Sequence, residues 1–240
     1  MTKFISFDIE IAAIIPNDIQ DWKQLRPLGI TCAAMAWSLS DETIITDTWH
    51  GENEQTRFAP RLSQDECIIV VHALKQAVAE GRTLLTHNGV SFDLDILAEE
   101  SGLHAECVEL AMNSVDTMLH FFCEKGFPVG LDAIAKGMGI PGKMEGMSGA
   151  LVPQLWVEGH FDEVLDYVAQ DAKCTLEVAL AIEKRRELRW ITQRGRLNMI
   201  PVNRLLAARE ALGLPLPNTD WMMGNDRLTR EKFTGWMATS

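Results

Sequence analysis

The chain opens on an apolar run, Phe4-Ile5-Ser6-Phe7, that ends in two carboxylates one residue apart, Asp8 and Glu10. A run of this kind is a buried strand, and in a strand every second side chain lies on the same face. The two acids therefore share a face, about 7 Å apart along the backbone. An unpaired carboxylate is expensive to bury, so such a strand end is an odd thing to build for stability alone. Side chains reaching inward from there can share a divalent ion.

The remaining pattern alternates helical and strand-like segments. Residues 3–9 form the first strand. Gly29 to Leu39 and Thr43 to Trp49 are further apolar runs, with Ser40-Asp41-Glu42 as a hairpin turn between them. Leu62 to Ala79 has helical periodicity and ends at Gly81. Arg82 to Thr86 is a short strand followed by the turn signal His87-Asn88-Gly89. Ser91 is placed to cap a helix from Phe92 to Glu100, closed by Gly102. Helices are also expected over Leu103–Met112, Val115–Glu124 and Leu131–Lys136, with one long amphipathic helix over Phe161–Leu188. Strands first, then helices alternating with short strands, predict an α/β domain with a mixed sheet over residues 1–190. Residues 191–240 read as a C-terminal extension with a helix from Val202 to Leu212. Its tryptophans, Trp221 and Trp236, are expected to pack on the domain or on a second subunit.

Composition narrows the class. With 240 residues, 47% hydrophobic and 23% charged, the chain is ordinary globular material. No apolar stretch approaches the length of a membrane span. Asp8 and Glu10 interrupt the only early apolar run, so no N-terminal leader is expected. The five cysteines (Cys32, Cys67, Cys107, Cys123 and Cys174) are odd in number and never form a C-x-x-C pair. They read as reduced core residues of a cytoplasmic protein. The net charge of −12 argues against gripping long nucleic acid by electrostatics alone. Residues 184–209, however, hold eight basic side chains against one acid, Glu187, which leaves −19 for the rest. That segment is either a solvated helix face with a basic loop or a patch that meets phosphates.

Two further acids stand in telling contexts. In Asn88-Gly89-Val90-Ser91-Phe92-Asp93, Asp93 falls in the first turn of a helix just after a strand, where ligand sites of α/β sheets collect. Alone it would simply complement the helix dipole. Asp95 competes for the role but points about 200° around the helix from Asp93. Tyr167 and Asp171 stand at i and i+4 of the long helix, on one face, with Cβ atoms roughly 5–6 Å apart. Tyr167 is also the only tyrosine in the chain.

Taken in order, strand D-x-E, N-x-x-x-F-D opening a helix and helical Y-x-x-x-D resemble the DEDD superfamily of 3′–5′ exonucleases in its tyrosine subclass. The likeness spans about residues 3–185. It looks closest to the proofreading exonuclease domain of family-B DNA polymerases and to stand-alone bacterial relatives. The stretch around Lys143, Gly149, Trp156 and Gly159 also resembles those stand-alone proteins. The histidine subclass would place a histidine five residues before the last aspartate, where this chain has Asp166.

The resemblance implies a ribonuclease-H-like three-layer fold, with a mixed central sheet flanked by helices. It implies that Asp8, Glu10, Asp93 and Asp171 hold two Mg²⁺ or Mn²⁺ ions and that Tyr167 orients the attacking water. The chemistry agrees: carboxylate oxygens without soft ligands suit these cations. Two ions roughly 3.5–4 Å apart suit an in-line displacement at phosphorus. The expected substrate is a single-stranded DNA or RNA 3′ end, trimmed to nucleoside 5′-monophosphates. His87, Asn88 and Lys143 are candidate substrate contacts, although an Asn-Gly turn needs no other explanation. The glycine-rich stretch from Gly137 to Gly149 is a candidate lid. Asp116 stands either near the metals or as a helix cap. The competing class is a catalytically silent nucleic-acid-binding or assembly module on the same fold. Residues 191–240 are candidates for docking a polymerase or repair partner, or a second copy; no membrane role is expected.

Overall fold

The computed structural model describes residues 3–16, 18–19, 21–39, 43–55, 57–142, 144, 146–222 and 228–238. In chain order the first elements are β1 (Phe4–Ile11), β2 (Ile30–Ser38), β3 (Ile44–His50), α1 (Gln64–Ala79) and β4 (Thr83–Thr86). There follow α2 (Asp93–Ser101), α3 (His104–Asn113), β5 (Val115–Asp116), α4 (Thr117–Lys125), α5 (Leu131–Met138), α6 (Val152–Val157) and α7 (Phe161–Arg185). The chain closes with β6 (Glu187–Ile191), β7 (Leu197–Pro201), α8 (Ala208–Leu212) and α9 (Glu231–Thr234).

The main sheet has the order β3-β2-β1-β4-β5. β1 pairs antiparallel with β2 and parallel with β4, and β4 pairs parallel with β5, so the sheet is mixed. Its two faces are read off β1. Ile5, Phe7, Ile9 and Ile11 pack with α1, α2 and α3, while Phe4 packs with α7 on the opposite side. On β2 the side facing α7 carries Cys32, Ala34 and Ala36, all buried. These small side chains let the helix lie close to the sheet. Ser6 fixes the approach by donating from Oγ to the carbonyl of Ala172, 2.7 Å away. Helices on both faces of a mixed sheet make the three-layer, ribonuclease-H-like α/β fold that was expected.

Four local expectations are corrected. Ser91 does not cap α2: the residue before the helix is Phe92, and Ser91 Oγ donates to Asn88 Oδ1 at 2.7 Å, within a tight turn. Val115 and Asp116 form a short parallel strand rather than the start of a helix, and Asp116 caps α4. The long helix stops at Arg185, because Arg186 adopts a left-handed conformation (φ 57°) and the chain turns into β6. The reason is legible in Leu188 and Trp190, which are buried at a spacing of two, the period of a strand. The helix expected from Val202 begins only at Ala208. The turn residues Ser40, Asp41 and Glu42 lie outside the described residues.

β6 spans the expected boundary at residue 190 and pairs with β7. Beyond it, Ala208, Ala211, Phe233 and Trp236 enter the same apolar core as Ile5 and Phe7. Trp236 Nε1 donates to the carbonyl of Val90 at 2.7 Å, and Trp221 is 65% exposed. The five cysteines are all buried and unbridged.

Candidate active site

Alternation along β1 sends Phe7 and Ile9 to one face, and so turns Asp8 and Glu10 toward α7. A shift in the β1–β2 register falls between Glu10 and Ile11, a bulge of the kind that re-aims a strand-end side chain. From across the interface, Tyr167 and Asp171 present the same face of α7 to the same cleft. One oxygen from each of Asp8, Glu10 and Asp171 lies within 4.8 Å of the other two. Glu10 is 7% and Asp171 3% exposed. Two ionised carboxylates at 4.8 Å repel by roughly 3 kcal/mol at an effective dielectric of 20. Three such groups held together, two of them buried, are a costly arrangement without a cation. The donors are hard oxygens at a spacing one ion can bridge, so this trio fits Mg²⁺ or Mn²⁺.

Asp93 stands beside the trio. It opens α2 and lines the same cleft, with Oδ1 accepting from the amide of Ile9 at 2.9 Å. That bond ties α2 to the strand that carries the two acids. Burial pushes the Asp93 carboxyl up to about 7, against the pull of the Ile9 amide, and the charges of Asp116 and Asp171 push the same way as burial. Asp95 faces elsewhere and pairs with Lys23 and Arg26. The acids also reach β2, where burial first, then the charges of Glu10 and Asp8, raise the Cys32 thiol well above its usual value.

The rim beside Asp93 is the turn 87–90, and Asp116 holds it. Asp116 accepts from the amides of Asn88 (3.0 Å) and Val90 (2.9 Å) and from those of Met118 and Leu119 at the start of α4. It is therefore both helix cap and latch. His87 Nδ1 lies 2.8 Å from Thr117 Oγ1, which aligns the ring along the rim, and His87 and Asn88 both line the cleft. Asn88 sits at φ 73°, a conformation asparagine tolerates better than most residues. Gly89 follows because a Cβ there would come within 2.5 Å of Thr86.

Two walls were less legible. Gly149, Ala150 and Pro153 bring the end of the glycine-rich segment against the acids, and a Cβ on Gly149 would meet Glu10 Oε2 at 3.3 Å. Lys143, the candidate substrate contact from that segment, lies outside the described residues. The other wall is Ala13, Ile15, Pro16 and Ile19, from the segment between β1 and β2. Its only sequence signal is an apolar run that continues past Glu10 to Ile15. The cleft encloses about 500 Å³, within the usual range for small-ligand sites.

Residues 108–188 match a family described as a predicted 3′–5′ exonuclease related to the exonuclease domain of PolB. The matched segment contains Asp116, Tyr167 and Asp171. Asp8, Glu10 and Asp93 lie outside it, and it is the fold that brings them to the same cleft. The match supports nuclease chemistry for this region. No curated protein matches the chain. Among the described residues, no helix is long and apolar enough to cross a membrane.

Proposed function

We propose that the chain is a metal-dependent 3′–5′ exonuclease of the tyrosine subclass. It would trim single-stranded DNA or RNA ends and release nucleoside 5′-monophosphates. The observation that carries this reading is the convergence of Asp8, Glu10 and Asp171, residues from two elements 161 positions apart, in a cleft that Asp93 and Tyr167 also line. A binding module without catalysis has no use for acids packed this closely.

In this reading Asp8, Glu10 and Asp171 would hold divalent cations, and Asp93, which lines the same cleft, would complete the ligand set. Bound there, paired Mg²⁺ or Mn²⁺ ions supply activation of water and charge stabilisation on the scissile phosphate. Tyr167 lines the cleft one turn of α7 before Asp171, and its hydroxyl would orient a water for in-line attack. His87 and Asn88, on the latched rim, would contact the terminal nucleotide. The apolar walls exclude bulk water from the acids, which strengthens every charge interaction in the cleft.

The test is incubation of 5′-labelled single-stranded DNA and RNA with Mg²⁺ or Mn²⁺, with chelator and Asp171→Ala as controls. A ladder shortening from the 3′ end, absent in both controls, is expected. A wild-type protein that leaves both polymers intact in either metal would remove the proposal.

A further inference from the structure

We infer that Asp95 is a positioning residue. It clamps the segment between β1 and β2 in place as one wall of the cleft, and so governs how substrate is gripped without touching the acids. The kinetic half of this inference rests on the nuclease reading; the structural half does not.

Asp95 is 3% exposed, yet two cations from the segment converge on its Oδ2: Lys23 Nζ at 3.1 Å and an Arg26 guanidinium nitrogen in close contact. The other Arg26 terminal nitrogen reaches Glu99 Oε2 at 2.8 Å, one turn along α2. Both cations also lie over the Trp22 ring, at 5.4 and 5.1 Å from its centroid. Trp22 in turn meets Phe92 edge-on, with ring centroids 5.2 Å apart, and Phe92 lines the cleft. At the base of the segment the amides of Ala12 and Ala13 donate to the carbonyls of Gly29 and Leu28, and Gly29 donates to Glu100 Oε1 at 2.7 Å. Ala13 belongs to the anchored base, and the other wall residues, Ile15, Pro16 and Ile19, lie between it and the clamped end.

A buried carboxylate shared by two cations makes a stiff joint, because moving either partner leaves charge uncompensated out of water. The joint is also separable from folding. The Lys23 and Arg26 side chains are 37% and 23% exposed, so both can turn to solvent when Asp95 is neutralised. Asp93 and Asp95 stand about 200° apart on the first turn of α2. One turn thus commits one carboxylate to the cleft and another to the segment that walls it.

The test compares wild type, Asp95→Asn, Arg26→Ala and Arg26→Lys in three measurements. In hydrogen exchange, Asp95→Asn and Arg26→Ala should speed amides of residues 12–28 by about tenfold or more while β1 and α7 stay protected. In steady-state kinetics on a short single-stranded oligonucleotide, the same variants should raise KM about tenfold, with kcat within about twofold and Mn²⁺ affinity unchanged. Arg26→Lys keeps a cation for Asp95 and should stay near wild type in both. Methyl p-nitrophenyl phosphate, too small to use the wall, should be hydrolysed equally by all four proteins. Unchanged exchange in residues 12–28 overturns the clamp, and so does a fall in kcat or Mn²⁺ affinity with KM constant. If wild type hydrolyses nothing, the nuclease reading fails, and the exchange comparison alone decides the clamp.

Discussion

Tyr167 is the residue at which burial and chemistry are hardest to separate. Its ring fills space between α7 and the sheet with no exposure at all, yet the residue also lines the cleft. Tyr167→Phe keeps the ring and removes the oxygen. Stability should fall by no more than about 1 kcal/mol, the net worth of one hydrogen bond. If the hydroxyl orients water, hydrolysis should fall by about 10²-fold at unchanged Mn²⁺ affinity, as expected for a group that positions the nucleophile. A parallel loss of metal binding would instead make the tyrosine a support for Asp171. Gly149 poses the opposite problem, since it matters for what it lacks. In Gly149→Ala the new methyl meets the end of the flexible Glu10 side chain rather than backbone, so the fold should hold. Glu10 must give by a few tenths of an ångström, and Mn²⁺ affinity by calorimetry should weaken several-fold while the thermal midpoint stays put.

Between elements, one carboxylate does the joining. Asp116 ends β5, caps α4 and latches the turn 87–90, so a single side chain fixes the relation of strand, helix and cleft rim. Asp116→Ala removes the cap and strands the amides of Asn88 and Val90 near or inside the core. Urea denaturation should show a loss of about 2–4 kcal/mol, summing a lost N-cap with one buried and one half-buried unsatisfied donor. The same variant should release His87 and Asn88 and weaken oligonucleotide binding. The sequence offered the cap for Asp116, as S/T/D/N before an apolar run usually does, but the latch depends on Asn88 and Val90, which only folding brings within reach. The same contrast runs through the site. Asp8 with Glu10, and Tyr167 with Asp171, were legible because strand and helix periods put each pair on one face. The walls were not, because Ala13, Ile15 and Gly149 carry no chemistry of their own and matter only by where the backbone goes. Where the expected elements went wrong, at Val115-Asp116 and Glu187–Ile191, short strands adjoin a helix, and the longer helical period masks a run of two to five residues.

At the scale of the whole molecule, the C-terminal segment is part of the core that holds the cleft. Trp236 donates to the carbonyl of Val90 on the rim, and Leu206 donates to His120 Nδ1 on α4, 3.5 Å away. His120 is 5% exposed, and burial first, then the Arg204 charge, lowers its imidazole from 6.5 to about 4. Accepting a hydrogen bond at Nδ1 also demands the neutral ring. Between pH 6.5 and about 4 the unfolded chain binds this proton and the native chain does not, so the stabilisation is complete above 6.5 and is lost as pH falls toward 4. At roughly 1.36 kcal/mol per pH unit the loss amounts to about 3 kcal/mol. Asp93 works the other way in the metal-free protein. Its raised carboxyl binds a proton in the native state before the unfolded one, so it adds stability as pH falls through about 7 and holds that gain below the ordinary carboxylate range. The two slopes oppose each other over much of the same window, and the raw stability curve will hide both. The difference between wild type and His120→Gln, measured by urea denaturation in chelator from pH 7.5 to 4.5, isolates the histidine. The wild type should lose stability relative to the variant as pH falls, by an amount approaching 3 kcal/mol at the acid end. A difference that stays flat across the window would mean that the joint between α4 and the C-terminal segment admits enough water to charge the ring, and that the segment is less firmly part of the core than Trp236 and Phe233 make it.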